Sequence, residues 1–410
     1  MTSPIRPLIE GYDFIRRECE RRGTDCFELG VGPLTVTCMR GPEAGTVFYS
    51  DRFERAGAMP RRVRRTLLGE GGVQGLDGED HHHRKALFLS LMTPDALDDL
   101  TTITDAEWDA AIARWQARHE PIRLLTDAAQ VLSRAVHRWS GVPLAEDDVA
   151  QRTDMLHALI DTPARVGPRH WRGRRARSRA DRWAADLIDD VRAGKLEPPA
   201  GRALHAIATH RTRDGQLLEP SVAAVELINI LRPTIAIDRF IVFAALALVE
   251  HPQWYERLRT SDDAIEPFTQ EVRRHYPFFP AAAAKVRTPF DWGGLHFPAG
   301  RLTLFDLYGT NHHPDVWADP DRFDPERFFD REIGPFDLVP QGGSDHESGH
   351  RCAGEWLTIA QINLALRVLT RRIDYTVPAQ DLRVSHRRFP TQPASGLLLT
   401  DITTRTPTEA

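Results

Sequence analysis

The stretch "PQGGSDHESGHRCAGEW", Pro340 to Trp356, places one cysteine between a glycine-rich loop and the apolar helical run "GEWLTIAQINLALRVL". The chain has 410 residues and 4 cysteines, too few for a disulfide-stapled protein of this length. Cys19, Cys26 and Cys38 lie together near the N-terminus, so Cys352 stands alone. His350 and Arg351 on one side, and a helix N-terminus on the other, favour its thiolate form. Such a thiolate is a nucleophile or a metal ligand; the alternative is an inert, partly buried cysteine.

Upstream, "SDDAIEPFTQEVRRHYPF" reads as a helix that opens on the N-cap Ser261 and stops before Pro277. Glu271 and Arg274 are three apart on one face of it, and Arg327 follows in "FDPERFFD". An E-x-x-R pair by itself is usually a surface ion pair. Followed by P-E-R-F and then by a glycine-rich loop ending in a lone cysteine, it becomes specific. That order resembles the haem-thiolate superfamily, the cytochromes P450. The resemblance implies a mainly α fold with small β-sheets (α+β), with haem between a long distal helix and the proximal cysteine loop. It makes Cys352 the iron ligand, whose soft thiolate pushes electron density onto the metal. It gives Glu271, Arg274 and Arg327 a structural part, tying a helix to a downstream loop. Two positions depart from the superfamily pattern: Asp345 and Ser348 stand where an aromatic residue and a glycine are usual.

The distal helix departs further. "LINILRPTIAIDRFIVFAALAL", Leu227 to Leu248, reads as one long apolar helix with Arg232 and Pro233 in its middle. An interior proline costs about 3 kcal/mol, and breaking up or leaving unpaired a buried charge about 3–5 kcal/mol. Net stabilities are only about 5–15 kcal/mol, so the arginine needs a purpose. Oxygen-activating P450s usually carry an acid–alcohol pair at this place. Together with "DGEDHHHRKALFLSLMT", "GPRHWRGRRAR", "QEVRRHYPF" and "LYGTNHHPDVW", the segment resembles the bacterial fatty-acid peroxygenases of the superfamily, over nearly the whole chain.

What that resemblance implies is a division of labour. Arg232 holds the fatty-acid carboxylate, which serves as the general acid–base for hydrogen peroxide, and Pro233 distorts the helix beside it. Gln74 in "GVQGLDG" fills a distal position that is glutamine in hydroxylating members and histidine in the best-known decarboxylating one. Hydroxylation at the α or β carbon is therefore expected, with decarboxylation to terminal alkenes as the alternative. His81, Arg55 and Lys85 belong to the cofactor site, His81 and Arg55 facing the propionates of haem b. His81, His82 and His83 are consecutive and do not share a helix face, so a three-histidine metal site is not expected. Leu68 and Phe279 are pocket walls, or ordinary core. Burying about a dozen methylenes at ~0.8 kcal/mol each makes the tail the main source of affinity.

Composition narrows the partners. The 53 Lys and Arg against 58 Asp and Glu give a net charge of -5, no general reason to expect nucleic acid or an anionic membrane. No apolar run is long enough to span a bilayer, and "MTSPIRPLIEGYDF" lacks a leader pattern, so a cytoplasmic protein is expected. The basic run between Gly167 and Arg182, "GPRHWRGRRARSRADR", reads as an ordinary charged helix face. A single haem-thiolate catalytic domain over residues 1–410 is expected, with an N-terminal β-rich lobe and a larger helical lobe. The β-like runs lie between Cys26 and Tyr49, "GTVFYS" among them. A monooxygenase fed by a reductase keeps the haem but conflicts with Arg232 at the proton-delivery place. A non-catalytic haem or fatty-acid carrier has no positive feature in its favour.

Overall fold

The computed structural model describes residues 10–118, 120–163 and 167–405. Helices dominate, and the small sheets expected from sequence are present. Leu124–Ser140 shows why: its apolar residues recur every three or four positions, and Leu124, Ala128, Val131, Leu132, Ala135 and Val136 are all fully buried. Gly141, in the left-handed conformation that favours glycine, ends it. This helix packs against Pro220–Ile235 and Asp238–Glu250, and the helix Glu355–Arg367, which follows Cys352, closes the same core.

The segment expected to form one helix from Leu227 to Leu248 is broken. Pro220–Ile235 ends, Ala236 and Ile237 form a turn, and Asp238–Glu250 begins. The cause is local: Pro233 has no N–H to give the carbonyl one turn earlier. The ladder resumes through shortened steps, with Ile237 N donating to Thr234 O at 3.3 Å and Arg239 N to Ala236 O at 3.3 Å.

Cys26–Val31 and Leu34–Met39 form the expected hairpin around Gly32 and Pro33. The lobe is not built from N-terminal sequence alone, however. Leu34–Met39 pairs in parallel with Leu302–Asp306, which pairs with Ala281–Val286, and the short strand Phe53–Glu54 completes five strands. The run "GTVFYS" falls largely in a helix, Pro42–Phe48, rather than a strand. Pro42 in the first turn, after Gly41 at φ 90°, starts that helix, and Phe48 anchors it in the sheet's apolar cluster. The helix carrying Glu271 begins at Ile265 with Ala264 as cap. Ser261 is not its cap: its hydroxyl bonds to Asp263. Among the described residues no helix is long and apolar enough to cross a membrane.

Candidate active site

The broken distal helix, the loop before Glu355–Arg367 and the segment Leu67–Gly75 enclose a cavity of about 410 Å³. Cys352 lies on one wall and Arg232 and Pro233 on another, with Gln74, Leu68 and Phe279 also facing the space. Cys352 is half-buried on the cavity wall, and burial pushes its thiol up, against the Gly354 N–H and the charges of Lys85 and Arg273. A bound cation would reverse that balance by favouring the thiolate. The main chain fixes the position: Cys352 N donates to Gln341 O at 3.2 Å, and Glu355 N to Cys352 O at 3.3 Å. Glu355 is in turn held by buried Arg273 and, at 2.5 Å, by Arg351.

The two departures in the loop answer each other. Asp345 Oδ1 accepts from Ser348 N at 2.7 Å, Ser348 Oγ at 2.7 Å and Glu347 N at 3.0 Å. An Asx turn closes the loop where an aromatic residue would ordinarily pack.

Across the cavity, Arg232 is 5% exposed, and among the described residues no carboxylate pairs with it. Its Nη1 donates to Leu67 O. Burial, and the neighbouring charge of Arg177, pull it down to about 9, so it remains a cation at neutral pH. A buried guanidinium with only a carbonyl as partner is a site for an anion.

A third wall carries Arg55, His81 and Lys85. His81 stacks on His350 with ring centroids 3.9 Å apart, and burial pulls it down to about 3. Arg55 Nη1 donates to Ala283 O at 3.2 Å, and its guanidinium lies 4.1 Å from the Phe48 ring centroid. Lys85 Nζ bonds to the carbonyls of Gly349 and Arg351, bracing the cysteine loop. A soft sulfur facing a large apolar cavity bordered by cationic groups suits an anionic, thiolate-ligated macrocycle. Among the described residues no group of three or more His, Cys, Asp or Glu is placed to hold a metal ion, the run His81 to His83 included.

Glu271, Arg274 and Arg327 come together behind the site. Arg274 donates twice to Glu271, at 2.6 and 2.7 Å, and its remaining donors reach the carbonyls of Asn311, Pro320 and Arg322. Arg327 Nε lies 3.5 Å from Glu271 Oε2, and Asp324 N donates to Oε1 at 2.7 Å.

Two features escaped the sequence reading. Arg177, assigned to a charged surface, is 2% exposed, lies behind Gly69 and pairs with Asp181 at 2.7 Å. The small residues Gly173, Ala176, Ala180 and Ala184, all buried on the same helix, were the signal for its inward face. Glu226 and Asn229, about two turns and one turn before Arg232, are buried polar groups in an otherwise apolar helix. Their spacing of three placed them together, a signal that Arg232 overshadowed.

Cys352, the cavity and the opposing cation define a haem-thiolate oxidoreductase. Residues 265–399 match the family model described as Cytochrome P450. Over 409 residues the chain is 24% identical to a protein named Putative cytochrome P450 120 from Synechocystis sp., covering 91% of this chain and 88% of that one. Cytochrome P450SP alpha (CYP152B1), solved in complex with (R)-ibuprophen, is 44% identical, with 98% of each chain covered and a TM-score of 0.95. Cytochrome P450EX alpha (CYP152N1), solved with myristic acid, is 44% identical, covers 98% of this chain and 97% of its own, and gives 0.94. A variant of cytochrome P450 OleT with arachidonic acid is 32% identical over 98% and 97%, at 0.95. The chain belongs to the bacterial fatty-acid peroxygenases of the cytochrome P450 superfamily.

Proposed function

We propose that this enzyme uses hydrogen peroxide, without a reductase partner, to hydroxylate fatty acids at the α or β carbon in the cytoplasm. The observation that carries the reading is Arg232: a buried cation, unpaired with any carboxylate of the described chain, on the cavity that holds Cys352. The fatty acids named with the solved relatives support the choice of ligand.

Cys352 would hold haem b through its iron, with Arg55 and Lys85 supplying positive charge on the wall they share with a neutral His81, and His81 and Arg55 toward the propionates. Bound there, the haem supplies the oxygen-transfer chemistry. The chain's own part is positional. Arg232 takes the substrate carboxylate in charge-assisted hydrogen bonds, and its bond to Leu67 O limits how far the guanidinium can turn. The break after Pro233 makes space beside it. The held carboxylate accepts the proton of one peroxide oxygen and returns it to the other, which leaves as water. The balance is R–H + H₂O₂ → R–OH + H₂O, so no electrons are needed from outside. Leu68 and Phe279 wall the tail, and the apolar lining keeps bulk water from the reacting atoms.

The test is mass analysis of products from a saturated long-chain acid and peroxide alone. Hydroxy acid is expected in excess over terminal alkene, and neither from the methyl ester of the same length. Arg232→Ala should keep its haem-thiolate spectrum and lose nearly all turnover. Oxidation of the ester at the rate of the acid, or an active and well-folded Arg232→Ala protein, would remove Arg232 from the mechanism.

A further inference from the structure

Glu226 is fully buried, and its carboxylate is saturated by three donors. Oε1 accepts from Arg84 Nη1 at 2.7 Å and from Val73 N at 2.9 Å; Oε2 accepts from Asn229 Nδ2 at 3.0 Å. The same Nδ2 gives its second hydrogen to Gln74 Oε1 at 3.2 Å. Gln74 and Asn229 both face the cavity that holds Cys352 and Arg232.

The chemistry of these groups fixes their direction. Paired with Arg84, Glu226 is a carboxylate and can only accept. Asn229 must therefore turn its NH₂ toward it, since the opposite orientation sets two acceptors face to face. One hydrogen of that NH₂ remains, and it meets Gln74, which must then present its oxygen. The amide nitrogen of Gln74 is left pointing away from Asn229, and among the described residues it has no partner. Among the described residues, the arrangement leaves Asn229 Oδ1 buried without a partner. An unmet acceptor of that kind persists only when the alternative orientation is worse.

We infer that Arg84, Glu226 and Asn229 are positioning residues that orient Gln74 as a hydrogen-bond donor into the reaction cavity, where its N–H groups meet an oxygen of the oxidant. A neutral amide thus offers a donor whose direction is set from the protein side. Glu226 acts twice, through the side-chain chain and through Val73 N, which seats the turn that carries Gln74. The inference rests on the reading of the cavity as a peroxide-using haem site.

Gly72 provides a probe that disturbs no charge. Its backbone, at φ -74° and ψ 159°, is open to any residue. A Cβ there would lie 3.0 Å from Asn229 Nδ2, 3.2 Å from Gln74 Oε1 and 2.9 Å from Val225 Cγ1, so alanine wedges apart the bond that transmits the direction. The experiment compares the unmodified enzyme with Gln74→Leu, Asn229→Leu and Gly72→Ala. Its two readouts are the infrared stretch of carbon monoxide on the reduced haem and the KM for peroxide. A donor aimed at a bound diatomic lowers that stretch. All three variants should raise it, and each should raise the peroxide KM several-fold with a smaller change in kcat. Asn229→Leu and Gly72→Ala thereby reproduce the loss of Gln74 while Gln74 is still present, which a merely structural role would not do. If Gln74→Leu moves both readouts and the other two move neither, the orienting chain is wrong. If none of the three moves either readout, Gln74 is not a donor. Should the unmodified protein give no thiolate-haem spectrum or no peroxide turnover, the underlying reading has failed instead.

Discussion

Arg232 and Arg177 put two guanidinium groups close together in a protein interior; Asp181 pairs with Arg177, while among the described residues no carboxylate pairs with Arg232. Between them runs the end of the Arg61–Leu67 helix: Arg232 holds Leu67 O, and Arg177 lies against Gly69. Gly69 has φ 86°, and a Cβ on it would fall 2.1 Å from Arg177 Nη2 and 2.7 Å from Val225 Cγ2. Two costs therefore attend Gly69→Ala, and Gly194 separates them. Gly194 has φ 67° with nothing within 4 Å of its Cβ position, so Gly194→Ala carries backbone strain alone, about 1–2 kcal/mol. Gly69→Ala should cost more than that in chemical denaturation. It should also weaken long-chain acid binding, read as a loss of the substrate-induced change in the haem spectrum, because Arg177 must move. Equal destabilisation in the two variants, with acid binding intact in both, would show that Arg177 yields freely and has no bearing on the anion site.

At the scale of elements, the cysteine loop and the distal helix show opposite dependence on local sequence. Pro233 was legible as a disturbance because a missing N–H acts within one turn. Its extent, a full break over Ala236 and Ile237, was not, since that depends on the core accepting two helices in place of one. The loop was legible as a departure, at Asp345 and Ser348, but its remedy required three dimensions: one carboxylate oxygen replaces aromatic packing with three hydrogen bonds. Gly349 packs onto this turn, where a Cβ would fall 2.4 Å from Ser344 Oγ and 2.7 Å from Asp345 O. Removing the carboxylate frees all three donors, while removing the serine hydroxyl loses one. Asp345→Ala should accordingly release haem to apomyoglobin several-fold faster than the unmodified protein, with Ser348→Ala in between. Identical transfer rates for all three would mean that Lys85, bonded to the carbonyls of Gly349 and Arg351, holds the loop unaided.

Over the whole molecule, what could be read from sequence was what lies close in sequence or in fixed order. The Glu271–Arg274 pair, the lone cysteine and Arg232 announced the site, and their order along the chain announced the fold. The parallel pairing of Leu34–Met39 with Leu302–Asp306 joins segments over 260 residues apart and leaves no local trace. Arg177 was misread for a related reason: arginine density suggests a solvated face, and only the small-residue stripe beside it shows the packing against Thr66 and Thr162.

Buried histidines, which read as unremarkable in the sequence, set how the folded chain meets acid. Burial pulls His137 down to about 4, with Arg152 adding to the effect, and His275 to about 3, with Arg274 and His251 adding to it. His312 is likewise driven well below its ordinary value by burial and by Arg274. For each of them the folded-state value lies below the unfolded one. Above about pH 6.5 both states are neutral at these positions. As the pH falls toward 4 the unfolded chain takes up protons that the folded chain refuses, so stability is lost, by up to about 1.4 kcal/mol per pH unit for each histidine. Asp306 works in the opposite sense: burial raises it to about 7, so it is protonated first in the folded state and offsets one histidine over the same range. Glu226 and Glu271, also raised by burial, add to that opposition. His81 and His210 are pulled down as well, to about 3 and about 4, so the histidines are the larger group on the acid side, and a net fall in the urea midpoint between pH 6.5 and 4.5 is expected. His275 is the position to test. Among the described residues its Nδ1 has no hydrogen-bond partner, and its ring packs edge-on to Tyr276 and Phe323. His275→Gln keeps a neutral polar group there at every pH, so its stability should fall less steeply over that interval, by close to one proton's worth of slope. A variant that tracks the unmodified protein in parallel from pH 6.5 to 4.5 would show that His275 takes up its proton while folded, and that the acid sensitivity lies elsewhere.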